Sequence, residues 1–376
     1  LPIGAIAIIA VMLVALTGVT NDSPKDAIAD ALSSYSSPLI WLIGIAVMIS
    51  RGLIKTGLGR RIAYYFISIF GKKTIGVAYS LSAAELMIAP ITPSNTARGG
   101  GIIHPIMRSI AQSFHSTPEE GTQNKIGRYL ALVIYLIYPP DVKVTPDAKQ
   151  FAKDNLSEMG QVSTQEKIML GVFALMLILW ANIPALIFGE QLSVDATTTA
   201  FIGLTALILT GVLTWDDVLK EKSAWDTIVW FGALIMMASY LNKLGLVSWF
   251  SSNIESMIGV IGVGWIGAVV ILTLVYLYIH YFFASTTAHI TALFAAFYAV
   301  GLSLGAPPML YALILAAAGN IMMTLTHYAT GTAPVIFNSG YVTLGEWWII
   351  GAIMSVVNLV VWIGAGLIWW KLLGYY

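Results

Sequence analysis

The sequence predicts an all-α polytopic membrane protein that is built from inverted repeats with re-entrant helical hairpins and broken transmembrane helices. Three observations support this fold class. Of the 376 residues, 58% are hydrophobic and only 10% are charged, whereas a soluble domain carries about 25% charged residues. Several apolar runs reach or exceed the ~20 residues that cross a hydrocarbon core. The two halves of the chain also resemble each other, and each half interrupts an apolar run with a short polar stretch.

The apolar runs set the expected order of helices along the chain. They fall at 1–20, 37–54, 62–90, 101–113, 129–138, 168–189, 197–213, 226–247, 257–283, 288–304, 308–327 and 347–373. Because the first run has no basic residues before it, we expect the native N-terminus to lie upstream. The stretch 139–167 is rich in Pro, Lys and Asp and predicts a solvated linker. We therefore expect N-terminal helices and a first repeat over 1–138, and connecting helices and a second repeat over 168–376.

Composition excludes several kinds of site. The 19 basic and 19 acidic residues give a formal net charge of zero, which suggests no nucleic-acid partner. The absence of cysteine excludes disulfides, thiolate metal sites and cysteine nucleophiles. No P-loop, zinc-ligand or dinucleotide-binding motif occurs, so we expect neither a metal nor a cofactor.

An internal repeat links the two halves. The stretch PLIWLIGIAVMISRGLIKTGLGRRI resembles DTIVWFGALIMMASYLNKLGLVSWF. An offset of about 190 residues relates three landmarks: Trp41 to Trp230, Lys55 to Lys243, and SNTAR at 94–98 to STTAH at 285–289. A steady offset of this kind indicates an internal duplication, which is the usual plan of secondary transporters.

The polar break of the first repeat predicts an anion site. Pro90 and Pro93 interrupt the helix before the break, and the glycines at 99–101 are expected to permit a tight reversal after it. Broken helices at membrane depth face protein or a water-filled cavity, and the helix N-termini at such a hairpin tip attract anions. The uncharged donors at the break are Ser94, Asn95 and Thr96.

The second repeat supplies an equivalent set of donors, which comprises Ser285, Thr286 and Thr287. If the two hairpin tips meet at the midplane of the membrane, the triplets face each other across a cavity. Such a cavity suits a small molecule with an anionic group at each end. The alternative for each triplet is a loop, or a helix in which Ser and Thr bond back to the backbone.

One basic residue follows each triplet, namely Arg98 in the first repeat and His289 in the second. Charge at membrane depth is costly and usually functional or paired, so both residues are candidates for holding a dianion. The alternative is that Arg98 snorkels or pairs with Glu85, and that His289 is a neutral, packed imidazole. Glu85 and His280 also lie in apolar surroundings, where each either carries a proton or is a satisfied polar residue.

A third motif, THYATGTAPVIFNSGY at 326–341, follows a long apolar run. Gly331 and Pro334 disfavour a continuous helix there. The motif therefore predicts an unwound transmembrane helix that offers Thr330, Gly331 and Thr332 to the same site. The alternative is an ordinary extracellular loop.

The motifs SNTA at 94–97, STTA at 285–288 and TGTAPVIFNSGY resemble the divalent anion–sodium symporter family of di- and tricarboxylate transporters. The resemblance spans most of the chain and is closest to the branch of 2-oxoglutarate/malate and citrate/succinate exchangers. It implies a homodimer in a lipid bilayer, here the inner membrane of a bacterial cell. It also implies a scaffold domain and a transport domain that moves like an elevator and carries a small dicarboxylate.

The sequence departs from this family in two ways. The second triplet is STT instead of SNT, and Arg98 and His289 lie where fixed positive charge can replace sodium, which favours sodium-independent exchange. In addition, the second repeat has a full broken helix at 308–341. The family has an equivalent broken helix in the first repeat, but this chain shows none after 125–135. We therefore expect residues to be absent between about Tyr135 and Leu136, the alternative being a truncated chain.

The predicted activity is exchange of C4 and C5 dicarboxylates (malate, succinate, fumarate, 2-oxoglutarate) or of citrate. A Na⁺- or H⁺-coupled symporter on the same fold is the main alternative. A membrane enzyme is disfavoured because the five histidines show no H-E-x-x-H spacing, and a channel is disfavoured by the paired re-entrant tips.

Overall fold

The computed structural model describes residues 3–90, 96–132, 139–246, 249, 264–283, 286–330 and 332–376, and within these ranges the chain forms helices but no strand. The helices are α1 (Ile3–Thr17), α2 (Pro24–Leu32), α3 (Pro38–Thr56), α4 (Leu58–Phe70), α5 (Thr74–Ile88), α6 (His104–Ser113), α7 (Gly127–Leu132), α8 (Pro146–Glu158), α9 (Thr164–Trp180), α10 (Ile183–Phe188), α11 (Ala196–Leu209), α12 (Trp215–Lys220), α13 (Lys222–Lys243), α14 (Trp265–Tyr278), α15 (Thr286–Ser303), α16 (Pro308–Ile321), α17 (Ala333–Phe337) and α18 (Leu344–Leu372). Short 3₁₀-helices lie at Ser33–Ser36, Glu190–Leu192, Ile279–Phe282 and Met322–Thr324, and a π-helix lies at Thr96–Ile103. The all-α part of the predicted fold class is confirmed.

Helices of membrane-spanning length support the prediction of an integral membrane protein. Among the described residues, 4 helices are long and apolar enough to cross a hydrocarbon core: Pro38–Thr56, Lys222–Leu241, Trp265–Phe282 and Leu344–Leu372. The last of them, α18, exposes large apolar side chains such as Val360 and Ile368. Lipid tails cannot hydrogen-bond to backbone N–H and C=O groups, so a spanning segment must satisfy these groups internally, as a helix does. An exposed apolar face is compatible with surrounding lipid.

The helix ends follow from local sequence. Reciprocal capping boxes begin α9, α12 and α18, and their residue pairs are Ser163 with Glu166, Thr214 with Asp217, and Thr343 with Glu346. In each box a hydroxyl and a carboxylate satisfy backbone N–H groups that the first helical turn leaves open. Gly57 separates α3 from α4 with a left-handed φ of 78°, a conformation that glycine adopts without steric cost.

The chain packs as two compact units. The first comprises Leu1–Ile6, Tyr35–Gly232 and Asn338–Tyr341, and the second comprises Ala7–Ser34, Ala233–Phe337 and Val342–Tyr376. The division expected from the sequence repeat, 1–138, 139–167 and 168–376, concerns internal duplication and stays a prediction.

The stretch expected to be a solvated linker contains α8, and α8 packs on α4 in the first unit. The residues before α8 also bind the turn between α4 and α5. The Thr74 N–H donates to the Lys143 carbonyl at 3.1 Å, and the Thr145 N–H donates to the Lys72 carbonyl at 2.8 Å. The Thr145 hydroxyl donates to the Gly71 carbonyl at 2.9 Å. The segment is therefore attached to the first unit by backbone bonds that its polar composition does not reveal.

A buried ion pair fixes the end of this segment. Arg61 Nε lies 2.6 Å from Glu166 Oε1, and the side chain of Glu166 is only 3% exposed. The same guanidinium donates to the carbonyls of Gly160 at 2.9 Å and of Met159 at 3.2 Å. Arg61 on α4 thus holds both the chain that follows α8 and the first turn of α9.

We expect Arg61→Gln to lower the free energy of unfolding of the purified protein by about 3–5 kcal/mol, because the buried Glu166 carboxylate loses its guanidinium. Thermal unfolding in detergent measures the change. The neighbouring Arg60 is exposed, so Arg60→Gln is a matched control that leaves the midpoint near that of the wild type. Equal midpoints for the two variants would contradict a structural role for the pair.

The core of the second unit lies among α14, α15, α16 and α18. Tyr276, Tyr311, Leu315 and Leu325 are fully buried there. Phe297 of α15 and Ile321 of α16 belong to this core, so it supports the helix that begins at the predicted contacts 286–287 and the helix that precedes those at 330–332.

Candidate functional site

The predicted site residues are described to different extents. Ser94, Asn95, Ser285 and Gly331 lie outside the described residues. Only the helical backbone is described for Thr96 and Thr287. The facing of the two triplets across one cavity therefore stays a prediction. Arg98, Thr286, His289, Thr330 and Thr332 are described with their surroundings.

The π-helix Thr96–Ile103 begins at the last residue of the first triplet and leads directly into α6. The tight reversal expected at the glycines 99–101 is wrong, because these residues lie inside that π-helix. Glycine's freedom of backbone conformation also suits the wider π-helical turn, so the composition alone did not distinguish the two. π-Helical turns are frequent at functional sites, and this one carries Arg98.

Arg98 faces an acidic residue. Its Nε lies 3.7 Å from Oε1 of Glu85 on α5, and the side chain of Arg98 is 11% exposed whereas that of Glu85 is 37% exposed. Pairing with Glu85 was the alternative to a direct role in the site, and the structure contains that pair. A role of Arg98 in binding substrate stays a prediction, with Glu85 now as a close neighbour.

The second triplet is joined to the predicted broken helix. The N–H and the hydroxyl of Thr286, the first residue of α15, both donate to the carbonyl of Ala329, at 3.0 Å and 2.9 Å. Thr286 is buried. The two polar breaks of the second unit thus lie side by side, although 43 residues separate them in sequence.

The break itself occurs where the sequence predicts it. The helix α16 ends at Ile321, the 3₁₀-helix Met322–Thr324 follows, and helical structure resumes only at α17. The Thr330 hydroxyl accepts a hydrogen bond from the Ala333 N–H at 3.2 Å and so caps α17. An unbroken helix over this stretch would have contradicted the hypothesis.

Two buried hydroxyl groups lie at this break. Thr326 Oγ1 and Thr332 Oγ1 are buried, and neither has a hydrogen-bond partner within the described part of the chain. Buried polar atoms are nearly always paired with protein, water or a ligand. The break therefore has hydrogen-bonding capacity to offer to a polar ligand. Thr326 was not among the residues predicted from sequence, because only its burial distinguishes it from other membrane threonines.

His289 is packed among rings. Its imidazole is fully buried and lies edge-on to Tyr276, with ring centroids 4.7 Å apart. The rings of Phe283 and His280 lie at 4.8 Å and 5.3 Å. This surrounding suits a neutral imidazole, since burial of an unpaired charge is costly. Contact of His289 with substrate stays a prediction, and Tyr276 is a neighbour that no sequence motif indicated.

A comparison with protein families assigns the chain to one of them. The family model described as the sodium:sulfate symporter transmembrane region matches residues 1–136 and 130–376. The chain belongs to this sodium:sulfate symporter family. The membership confirms the resemblance drawn from the SNTA, STTA and TGTAPVIFNSGY motifs, and it identifies a transporter rather than an enzyme.

Relatives within the family carry informative names. YflS of Bacillus subtilis, which is named for malate transport, is 46% identical over 431 residues that cover 100% of this chain and 87% of YflS. Dicarboxylate transporter 1 of spinach chloroplasts is 38% identical, and the alignment covers 100% of this chain and 74% of the spinach protein. Inner membrane protein YbhI of Escherichia coli is 34% identical, and the alignment covers 91% of this chain and 82% of YbhI.

Proposed function

We propose that this member of the sodium:sulfate symporter family exchanges C4 and C5 dicarboxylates, such as malate, succinate, fumarate and 2-oxoglutarate, or citrate. The exchange is independent of sodium and follows an elevator mechanism. The observation that carries the proposal is the pair of bonds from Thr286 to the Ala329 carbonyl. These bonds join the second polar triplet to a helix break whose buried hydroxyls have no hydrogen-bond partner among the described residues. The names of the spinach and Bacillus relatives support the substrate class.

The proposed mechanism depends on charge. A dianion that leaves water needs compensating charge, because an unpaired buried charge costs several kcal/mol. Arg98 is always charged and supplies that compensation without a co-transported cation. When substrate leaves, the site loses its compensating anion, so the empty carrier crosses the membrane less readily than the loaded one. That asymmetry produces exchange.

Three further features belong to the proposal. Internal duplication supports inverted repeats, which place a substrate site near the middle of the bilayer. The family resemblance supports a homodimer. The relative from Escherichia coli, which is named as an inner membrane protein, supports the inner membrane of a bacterial cell as the location.

We also propose that an internal segment of the first repeat is absent near Tyr135 and Leu136, a junction outside the described residues. Two observations support this. The two matches to the family model overlap at 130–136. The alignment with YflS extends over 431 residues whereas this chain has 376, so at least 55 positions lie opposite gaps in this chain. Peptide mapping of the natural protein by mass spectrometry would test it, and a peptide in which Tyr135 is followed directly by Leu136 would contradict it.

A Na⁺- or H⁺-coupled dicarboxylate symporter is the second candidate. The family description names sodium, and Glu85 is a partly exposed ionisable residue on an apolar helix, a position that is often functional in transporters. In this mechanism the cation travels with the substrate, so uptake does not require a dicarboxylate on the other side.

Uptake by purified protein in liposomes distinguishes the candidates. We expect labelled succinate to enter liposomes loaded with unlabelled succinate at least ~10-fold faster than empty ones, because the empty carrier returns slowly. Replacement of external sodium by potassium leaves the rate unchanged. Strict dependence on sodium or on a proton gradient would support the symporter, and protein-free liposomes give the background.

A further inference from the structure

We propose that Glu85 is the internal counter-ion of Arg98 and that a carboxylate of the substrate displaces it. Glu85 thereby sets how tightly the carrier binds a dicarboxylate and how readily the empty carrier returns. The inference rests on the proposed function, and it assigns a positioning role to a residue outside the predicted substrate contacts.

The position of Glu85 is costly without a partner. It is the only charged residue of α5, whose sequence is TIGVAYSLSAAELMI, and it lies in the last turn of that helix. A negative charge near a helix C-terminus is disfavoured by the helix dipole, and an ionisable residue in an apolar membrane helix is expensive. Arg98, the only charged residue of the π-helix Thr96–Ile103, offsets that cost.

The geometry of the pair suits displacement. Nε of Arg98 and Oε1 of Glu85 are 3.7 Å apart, whereas the structural pair of Arg61 and Glu166 is at 2.6 Å. A guanidinium binds a carboxylate most strongly when two parallel N–H groups donate at shorter range. A substrate carboxylate that binds in this way competes well against the longer contact.

The two partners differ in their access to water. Arg98 is 11% exposed and Glu85 is 37% exposed. Separation from an anion costs the more buried guanidinium more, whereas water can reach the carboxylate and offset part of the cost of its displacement. The result is an exchange of counter-ions at Arg98, in which the anion is Glu85 in the empty carrier and the substrate in the loaded one.

This exchange of counter-ions has two consequences. Glu85 competes with substrate, so it weakens binding. At 3.7 Å it also offsets part of the charge of Arg98 in the empty carrier, so it lowers but does not remove the barrier to the empty return that the fixed charge creates. Removal of the carboxylate should therefore tighten binding and make exchange stricter.

The test is Glu85→Gln in liposomes, with the wild type and Glu120→Gln as controls. Glu120 is exposed in the loop after α6 and has no part in the proposed site. For Glu85→Gln we expect the KM for external succinate to fall at least threefold. We also expect the ratio of exchange to uptake by empty liposomes to rise at least threefold. Glu120→Gln should match the wild type in both measurements.

An unchanged KM and an unchanged ratio in Glu85→Gln would overturn the inference, as would a higher KM. If that variant does not fold, Glu85→Asp carries the test, because it keeps the charge but shortens its reach. The KM should then fall by a smaller factor, and an unchanged or higher KM would overturn the inference. Failure of the proposed function is distinct, since the wild type itself would then show no exchange of succinate.

Discussion

Arg98→Gln is expected to reduce the exchange of succinate at least ~100-fold. The guanidinium is the fixed cation that we propose for the dianion, and its loss leaves a substrate carboxylate without compensating charge at a cost of several kcal/mol. Each 1.4 kcal/mol corresponds to about a factor of ten. Arg98→Lys keeps the charge but loses the planar fork that binds a carboxylate through two N–H groups, so we expect partial activity. Initial rates of exchange in liposomes measure all three proteins.

Two controls separate this role from a structural one. Arg108 is exposed on α6, so Arg108→Gln should exchange succinate like the wild type. In the double variant Arg98→Gln with Glu85→Gln, the unpaired carboxylate is removed as well. If Arg98 only neutralises Glu85, the double variant regains activity; if Arg98 binds substrate, it stays inactive. Full activity of Arg98→Gln would refute the proposed charge compensation.

Thr286→Val should lower exchange at least ~10-fold, with a change of only about 1 kcal/mol in the free energy of unfolding. Valine keeps the shape of threonine but cannot donate to the Ala329 carbonyl, which the Thr286 hydroxyl reaches at 2.9 Å. The Thr286 N–H retains its own bond of 3.0 Å to that carbonyl. We therefore expect the local fold to persist while the link between the two breaks loses one of its two hydrogen bonds.

The conservative variant and a control on the same helix complete this test. Thr286→Ser keeps the hydroxyl and should retain most of the activity. Ser303 lies at the far end of α15 and donates to the Val300 carbonyl of the same helix at 2.8 Å, so Ser303→Ala should exchange normally. Loss of activity in Thr286→Val that is no greater than in Ser303→Ala would contradict a role for the link to Ala329.

Sequence reasoning succeeded where local physics decides the structure. Long apolar runs in lipid must form helices, because only a helix satisfies its own backbone groups there. The break in 326–341 was predictable for the same reason, since Gly331 and Pro334 disfavour a continuous helix. The reversal expected at 99–101 was wrong because three glycines permit several backbone paths, and their surroundings select one.

The sequence by itself determined the all-α membrane fold, the interrupted helix after α16 and the family. Each of these depends on residues that are close together in the chain or on short sequence motifs. Only the tertiary structure decided that Thr286 binds the Ala329 carbonyl, that Arg98 faces Glu85, and that His289 is packed against Tyr276. These contacts join residues 13 to 43 positions apart, some through a backbone carbonyl that every residue possesses. Their formation depends on how the helices pack, and no local pattern in the chain encodes that packing.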